Sequence, residues 1–126
     1  MSDLTEVTIA EARDRLRAGD VTSVELTEAC LKAVEGAGRL NAFVHKTPEI
    51  AVERARAADA RLQEERDAAP AMCGIPVGIK DLFCTEHVPS QAASRILDGF
   101  RPEYESTVSR QLFEAGAVML GKLNMD

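Results

Sequence analysis

The chain has 126 residues, enough for one domain and too few for two of ordinary size. Its 45% hydrophobic and 29% charged residues are typical of a folded globular protein, and with only 4% aromatic residues the core must be aliphatic. The formal net charge of -6 argues against direct binding of nucleic acid by this chain alone, because binding phosphates requires a basic face.

The first forty residues predict two helices, the first of them over residues 8–18. Both helix starts have the spacing of a capping box, in which two side chains satisfy backbone N–H groups that the helix leaves unpaired. Apolar residues at helical spacing follow each cap, and a glycine closes each helix. The capping pairs are Thr8 with Glu11 and Thr22 with Glu25; the apolar faces are Ile9, Ala12 and Leu16, then Leu26, Ala29, Cys30, Ala33 and Val34.

Residues 41–67 predict a short extended segment followed by a third helix. Thr47 and Pro48 suit the cap and the first position of that helix, which should continue to Asp67. Its apolar stripe consists mostly of alanine, so we expect this helix to lie on the surface. His45 has no second histidine or paired cysteine near it and is interpreted as structural or exposed.

Beyond Pro70, apolar runs alternate with turn residues, which indicates a change from helices to a sheet. Residues 75–80 and 117–121 are apolar runs of the kind that is buried in parallel sheets. The first run is followed by a long irregular connection, residues 81–99, and then by a helix capped by Ser106 or the glutamate before it. Strand, helix and strand make a βαβ unit, with helices expected on both faces of the sheet.

We therefore predict the α/β class: amino-terminal helices, then the start of a mixed, largely parallel sheet covered by helices. In this prediction residues 1–70 form the helical region and residues 71–126 the first part of the α/β core, as one folding unit in the full protein. Two neighbouring strands are too few for an independent sheet, so we expect the sequence to be cut short.

Nothing in the sequence indicates export or a membrane span. The start of the chain lacks a basic, apolar leader, and no apolar run approaches the length that a bilayer requires. Cys30, Cys73 and Cys84 are odd in number and lack CxxC spacing, so we expect reduced thiols rather than a disulfide or a zinc site. A cytoplasmic chain without a metal or cofactor of its own follows as the expectation.

Lys80, at the end of the first apolar run, is the residue with the clearest chemical potential. An ammonium buried at such a place loses its charge readily, and a neutral amine is a base. Lys122 follows the second run in the same way, so spacing alone does not separate the two lysines. Asp81 is expected to hydrogen-bond nearby backbone or to support the lysine, and Cys84, with His87 three residues on, is interpreted as a loop thiol rather than a nucleophile.

Three glycines of this half, Gly74, Gly78 and Gly121, are predicted to lie where another piece of backbone approaches closely. A phosphate-binding loop is the other use of glycines near a strand end. The sequence has neither the GxxxxGK[ST] nor the GxGxxG pattern, which argues against that use.

Several ordered motifs of the second half together resemble the amidase signature family. They are Gly74-Ile75-Pro76-Val77-Gly78-Ile79-Lys80-Asp81, Tyr104-Glu105-Ser106-Thr107-Val108, Ala115-Gly116-Ala117-Val118 and Leu120-Gly121-Lys122-Leu123-Asn124-Met125-Asp126. The family's chemistry uses a Ser–cis-Ser–Lys triad, and Lys80 matches its lysine, so the resemblance implies that Lys80 is catalytic. The family's two serines have no counterpart in this sequence. The serines that lack the family's glycine-rich setting are Ser23, Ser90, Ser94, Ser106 and Ser109.

Within the family, the chain is most similar to the glutamine-hydrolysing subunits of tRNA-dependent amidotransferases, which convert Glu-tRNA(Gln) to Gln-tRNA(Gln). The resemblance implies L-glutamine as substrate, the B and C subunits of a heterotrimer as partners, and misacylated tRNA held by the B subunit. ATP and magnesium would be used by the complex and not by this chain, which alone would be inactive. Two departures from the family pattern concern a loop: His87 stands where glycine is expected, and Ser90-Gln91 replaces a threonine pair.

Two alternatives stay open. The chain could belong to a stand-alone amidase that hydrolyses small amides, or it could be a non-catalytic helical interaction module with a partial sheet. A Gly-Gly-Ser-Ser-Gly-type run beyond residue 126 would exclude the module. Glutamine hydrolysis that depends on partner subunits and misacylated tRNA would separate the amidotransferase from the stand-alone amidase.

Overall fold

Residues 3–125 are described by a computed structural model, in which helices lie against a three-stranded sheet. Two short 3₁₀ turns, Gly38–Leu40 and Arg66–Ala68, join the longer elements. The helices are α1 (Ile9–Ala18), α2 (Ser23–Gly36), α3 (Pro48–Glu65) and α4 (Thr107–Glu114), and the strands are β1 (Phe43–Lys46), β2 (Pro76–Lys80) and β3 (Val118–Leu123). No helix within residues 3–125 is long and apolar enough to cross a bilayer.

The capping boxes predicted for α1 and α2 are confirmed. The Glu11 N–H donates to Thr8 Oγ1 over 3.2 Å, while the Thr8 N–H donates to the Glu11 carboxylate over 2.9 Å. The same reciprocal pair begins α2, and Gly19 ends α1 in the left-handed conformation. The inward face of α1 was predicted less well, because Ile9 is 58% exposed.

The start of α2 is also held by residues far away in the chain. Asp59 of α3 accepts hydrogen bonds from the Ser23 and Val24 N–H groups over 2.6 and 3.1 Å, which satisfies two donors at the helix start. The buried Ser23 hydroxyl donates to the Gly74 carbonyl over 2.9 Å. These contacts connect α2 to α3 and to the chain just before β2.

α3 lies on the surface as predicted, with Glu49, Glu53 and Arg56 among its exposed residues, but its alanine face is buried more deeply than expected. Its Ala51 and Ala55 are completely buried and pack against Val118 and Leu120 of β3. A stripe of alanines lets the helix backbone approach the sheet closely, so a small apolar face here marks tight packing. The predicted capping hydrogen bond of α3 is not formed. The Thr47 hydroxyl donates to the Met119 carbonyl and does not accept from an N–H group of its own helix.

The sheet has the strand order β1-β3-β2, and β2 and β3 are parallel, which confirms the predicted α/β class with a mixed sheet. β1, which comes from residues 1–70, pairs with β3 in the antiparallel direction. Val118 and Leu120 face α3, while Met119 and Ile79 pack with α4 side chains, so helices cover both faces. The division into regions 1–70 and 71–126 stays a prediction.

One of the three glycines has the close backbone approach predicted for it. A Cβ added at Gly121 would overlap the carbonyl oxygen of His45 and lie 3.0 Å from Lys46 Cα. At Gly78 the neighbour is the Leu123 side chain, and at Gly74 it is mainly the Ser23 side chain. The prediction is therefore confirmed at Gly121 and wrong at the other two positions, where side chains fill the space.

Replacing Gly121 with alanine should lower the free energy of unfolding by about 1–3 kcal/mol, because β1 must move away from β3 to make room. Urea unfolding of the protein measures this change. Gly36→Ala is the matched control, since no atom lies within 4 Å of a Cβ there, and it should be neutral or slightly stabilising. Equal effects of the two substitutions would contradict the close approach of β1 and β3.

Candidate active site

The carboxyl ends of β2 and β3 meet at one edge of the sheet, and each strand brings a lysine to that edge. The register pairs Ile79 with Lys122 and Lys80 with Leu123. Paired residues share a face of the sheet and successive residues alternate, so the two lysines leave the sheet on opposite faces. The structure thus separates two residues that sequence spacing treats alike.

Lys80 combines a fixed main chain with an unengaged side chain. Its carbonyl accepts a hydrogen bond from the Phe83 N–H over 3.0 Å, and the N–H of Asp81 donates to the Leu123 carbonyl over 2.9 Å. The Lys80 side chain is partly buried, and among residues 3–125 its ammonium has no hydrogen-bond or ion-pair partner. The catalytic assignment of Lys80 stays a prediction.

Lys122 is the lysine that the structure buries. Its side chain has 0% exposure, and its Nζ donates to the Phe83 carbonyl over 2.6 Å and to Ser90 Oγ over 2.9 Å. The nearest carboxylate oxygen, Asp81 Oδ1, is 3.8 Å away. Burial lowers the pKa of Lys122, and the Asp81 carboxylate partly opposes that change. The deep burial that we expected for the amine of Lys80 is therefore found at Lys122.

Asp81 is buried at the junction between β2 and the loop that follows, residues 81–99. Its Oδ2 accepts a hydrogen bond from the Gln91 N–H over 3.1 Å, which confirms the predicted contact with nearby backbone. Its Oδ1 has no hydrogen-bond partner among residues 3–125 and faces Lys122 instead. Asp81 therefore closes the loop onto its own start and balances the buried ammonium.

Ser90 completes this arrangement with every hydrogen-bonding position of its hydroxyl in use. The oxygen accepts from Lys122 Nζ and from the Thr85 N–H over 3.2 Å, and the hydroxyl donates to the Val88 carbonyl over 3.1 Å. A hydroxyl offers one donor and two acceptor positions, so none is left over. Sequence analysis treated Lys122 as equivalent to Lys80 by spacing and named Ser90 only as a loop departure, so it did not predict that the two residues meet. The signal for Lys122 was a lysine next to a continuous apolar run, where a buried ammonium needs partners.

The other sequence candidates do not form a site with either lysine. The Cys84 thiol donates to the Tyr104 hydroxyl over 3.4 Å, and His87, whose side chain is 76% exposed, lies 3.5 Å from the Glu86 carboxylate. No contact joins Cys84 and His87 within the described residues. Ser106 and Ser109 form a hydroxyl pair 2.6 Å apart at the start of α4, where they serve as a helix cap.

Residues 25–126 match the family model described as Amidase. The chain belongs to this family, which confirms the resemblance stated from the motifs. Over its full length it is 75% identical to the A subunit of glutamyl-tRNA(Gln) amidotransferase from Ruegeria pomeroyi and 73% identical to the same subunit from a Jannaschia species. In both cases the chain spans 25% of the relative's length.

A solved structure gives the same family by shape. The native peptide amidase of Stenotrophomonas maltophilia superposes with a TM-score of 0.85 at 32% identity, over 95% of this chain and 25% of that protein. Since the helices and the mixed sheet are shared, the architecture described above is that of an amidase-family enzyme over about a quarter of its length.

The loop departure at His87 has a conformational consequence. His87 has a backbone φ of 61°, in the left-handed region that glycine adopts at little cost. His87→Gly should therefore stabilise the protein by up to about 1 kcal/mol in urea unfolding. Glu103→Gly, at an exposed loop position without a positive φ, is the control and should destabilise by about 0.5–1 kcal/mol. Equal losses at both positions would count against strain at His87.

Burial of Lys122 predicts a dependence of stability on pH. Its pKa is lowered in the folded state below the ordinary value of a lysine, so between the two values the unfolded chain binds more protons and folding becomes more favourable as pH rises. The difference in unfolding free energy between wild type and Lys122→Met should thus move in favour of wild type as alkaline pH is approached. Denaturation at several pH values measures it. A difference that stays constant with pH would refute the effect of burial.

Proposed function

We propose that this chain belongs to the glutamine-hydrolysing subunit of a cytoplasmic, tRNA-dependent amidotransferase that converts Glu-tRNA(Gln) to Gln-tRNA(Gln). The observation that carries the proposal is the 75% identity, over all 126 residues, to the A subunit of the Ruegeria pomeroyi enzyme. Because the chain spans 25% of that relative, the activity would also need residues that lie outside this sequence.

In the proposed reaction, Lys80 is the terminal base of a proton relay. Its neutral Nζ takes a proton from a bridging serine hydroxyl, which in turn takes the proton of a nucleophilic serine. The nucleophilic oxygen attacks the side-chain amide carbon of glutamine, the C–N bond breaks, and the protonated nitrogen leaves as ammonia. Water then hydrolyses the acyl-enzyme to glutamate. The unengaged side chain of Lys80 at the strand end supports this role, and the two serines would come from outside this sequence.

We assign the remaining chemistry to partners. Ammonia would pass to the B subunit, where ATP and magnesium activate the glutamate on misacylated tRNA, and the C subunit would complete the heterotrimer. Within residues 3–125 no cluster of three or more His, Cys, Asp or Glu side chains could hold a metal ion. The net charge of -6 also favours RNA contacts by another subunit.

A stand-alone amidase is the second candidate, favoured by the structural likeness to the peptide amidase of Stenotrophomonas maltophilia. Its identity to this chain is 32%, against 75% for the amidotransferase subunit, and this difference favours the first candidate. The third candidate is a non-catalytic interaction module, and the match to a family described as Amidase does not support it. Dependence of glutamine hydrolysis on the B and C subunits and on misacylated tRNA is the property that would separate the two enzymes.

Lys80→Arg and Lys80→Ala, made in the complete amidotransferase, should lower glutamine-dependent amide formation at least about a thousandfold. Arginine keeps the positive charge but cannot become a neutral base, so it should be as inactive as alanine. Amide formation from supplied ammonia should stay within about twofold of wild type, because Lys80 would serve only ammonia release. Both rates are measured as Gln-tRNA(Gln) formed.

Lys46→Arg is the matched control, since Lys46 is also a partly buried lysine of the same sheet. It should retain both activities. Glutamine-dependent turnover that survives in Lys80→Arg would overturn the role of Lys80. Loss of the ammonia-dependent reaction together with the glutamine-dependent one would show that the substitution damages the complex as a whole and would contradict a role confined to ammonia release.

A further inference from the structure

Among residues 3–125, the hydrogen-bond and ion-pair partners of the Lys122 side chain all come from one part of the chain. All three of its side-chain partners lie within ten residues after Lys80: Asp81, the Phe83 carbonyl and the Ser90 hydroxyl. The Asp81 carboxylate in turn accepts from the Gln91 N–H. The hydrogen bond between Gln91 and Asp81 thus closes segment 81–91 into a ring around the Lys122 ammonium. The buried Lys122 side chain connects this ring to β3.

The ring reaches Lys80 through Phe83. The Phe83 carbonyl accepts from Lys122 Nζ over 2.6 Å, and the Phe83 N–H donates to the Lys80 carbonyl over 3.0 Å. The residue directly after Lys80 is Asp81, and its N–H donates to the carbonyl of Leu123, the residue after Lys122 in β3. Two short connections therefore link the backbone of Lys80 to Lys122 and its strand.

We propose that Lys122 is a positioning residue for amide hydrolysis, whose buried ammonium holds the turn 80–83 and thereby fixes the direction in which Lys80 leaves the sheet. This inference rests on the proposed function of Lys80. Lys122 itself does not touch the substrate in this arrangement, because its side chain has 0% exposure and projects from the opposite face of the sheet.

The expected kinetic effect follows from what positioning does. A base that is misplaced by about an ångström can cost about a hundredfold in rate, while substrate binding by other residues is little changed. Lys122→Met keeps the length of the side chain but removes the donors to Phe83 and Ser90. It should therefore lower kcat for glutamine hydrolysis by about 10- to 100-fold, with KM changed by less than about threefold.

The test uses the complete amidotransferase and compares four variants. Lys122→Met and Ser90→Ala remove the two sides of one hydrogen bond, and both should lower kcat. Ser90→Thr keeps the hydroxyl and should restore kcat to within about threefold of wild type. Ser23→Ala loses a buried hydrogen bond to the Gly74 carbonyl, outside the ring, and should lower the melting temperature without lowering kcat. Should Lys122→Met fail to fold, the Ser90 pair carries the same comparison.

The outcomes separate a positioning role from a structural one. If Lys122→Met and Ser90→Ala lower the melting temperature as Ser23→Ala does, yet keep the wild-type kcat, the positioning role is overturned and Lys122 is only structural. A kcat loss in Ser90→Thr as large as in Ser90→Ala would also overturn it. Failure of the proposed function looks different, because then glutamine hydrolysis persists in Lys80→Arg whatever Lys122→Met does.

Discussion

A buried lysine without water must find partners, and this constraint shapes the edge of the sheet where β2 and β3 end. Leaving an ammonium in the interior without hydrogen bonds or an opposite charge would cost far more than a single domain can tolerate. Lys122 obtains a carbonyl, a hydroxyl and a carboxylate from one loop. These contacts join β3 to the first half of the loop 81–99, which is also held by backbone hydrogen bonds such as those from His87 to Pro102 and from Ser90 to Phe100.

The parallel register divides the work between two similar residues. Lys80 and Lys122 lie one pair apart, and the alternation of side chains sends them to opposite faces. Lys122 has a structural role, because both hydrogen bonds that its ammonium donates go to the loop that follows β2. Lys80, in contrast, has a partly buried side chain without a hydrogen-bond or ion-pair partner among residues 3–125. A shift of one residue in the register would instead place both lysines on the same face of the sheet.

Local signals explain what the sequence predicts well, and long-range contacts explain what it does not. A capping box involves residues within one helical turn, so α1 and α2 were predictable. The continuous apolar runs of β2 and β3 suit strands buried in a parallel sheet, so this pair was predictable too. The depth of α3 was not, because an alanine stripe reads as weakly apolar until the partner strand is known. For the site, family resemblance selected Lys80, whereas Lys122 and Ser90 depend on a register and a loop closure across 32 residues.

The electrostatic field of the Lys122 ammonium does not explain how Lys122 would influence Lys80. Its ammonium lies 3.8 Å from the Asp81 carboxylate, so seen from the other side of the sheet the pair is close to neutral. The connection between the two lysines is structural, because the Phe83 carbonyl accepts from the Lys122 side chain while the Phe83 N–H donates to the Lys80 carbonyl. If Lys80 acts as a neutral base, any further burial of its amine must come from residues outside this sequence, because among residues 3–125 its side chain is only partly buried.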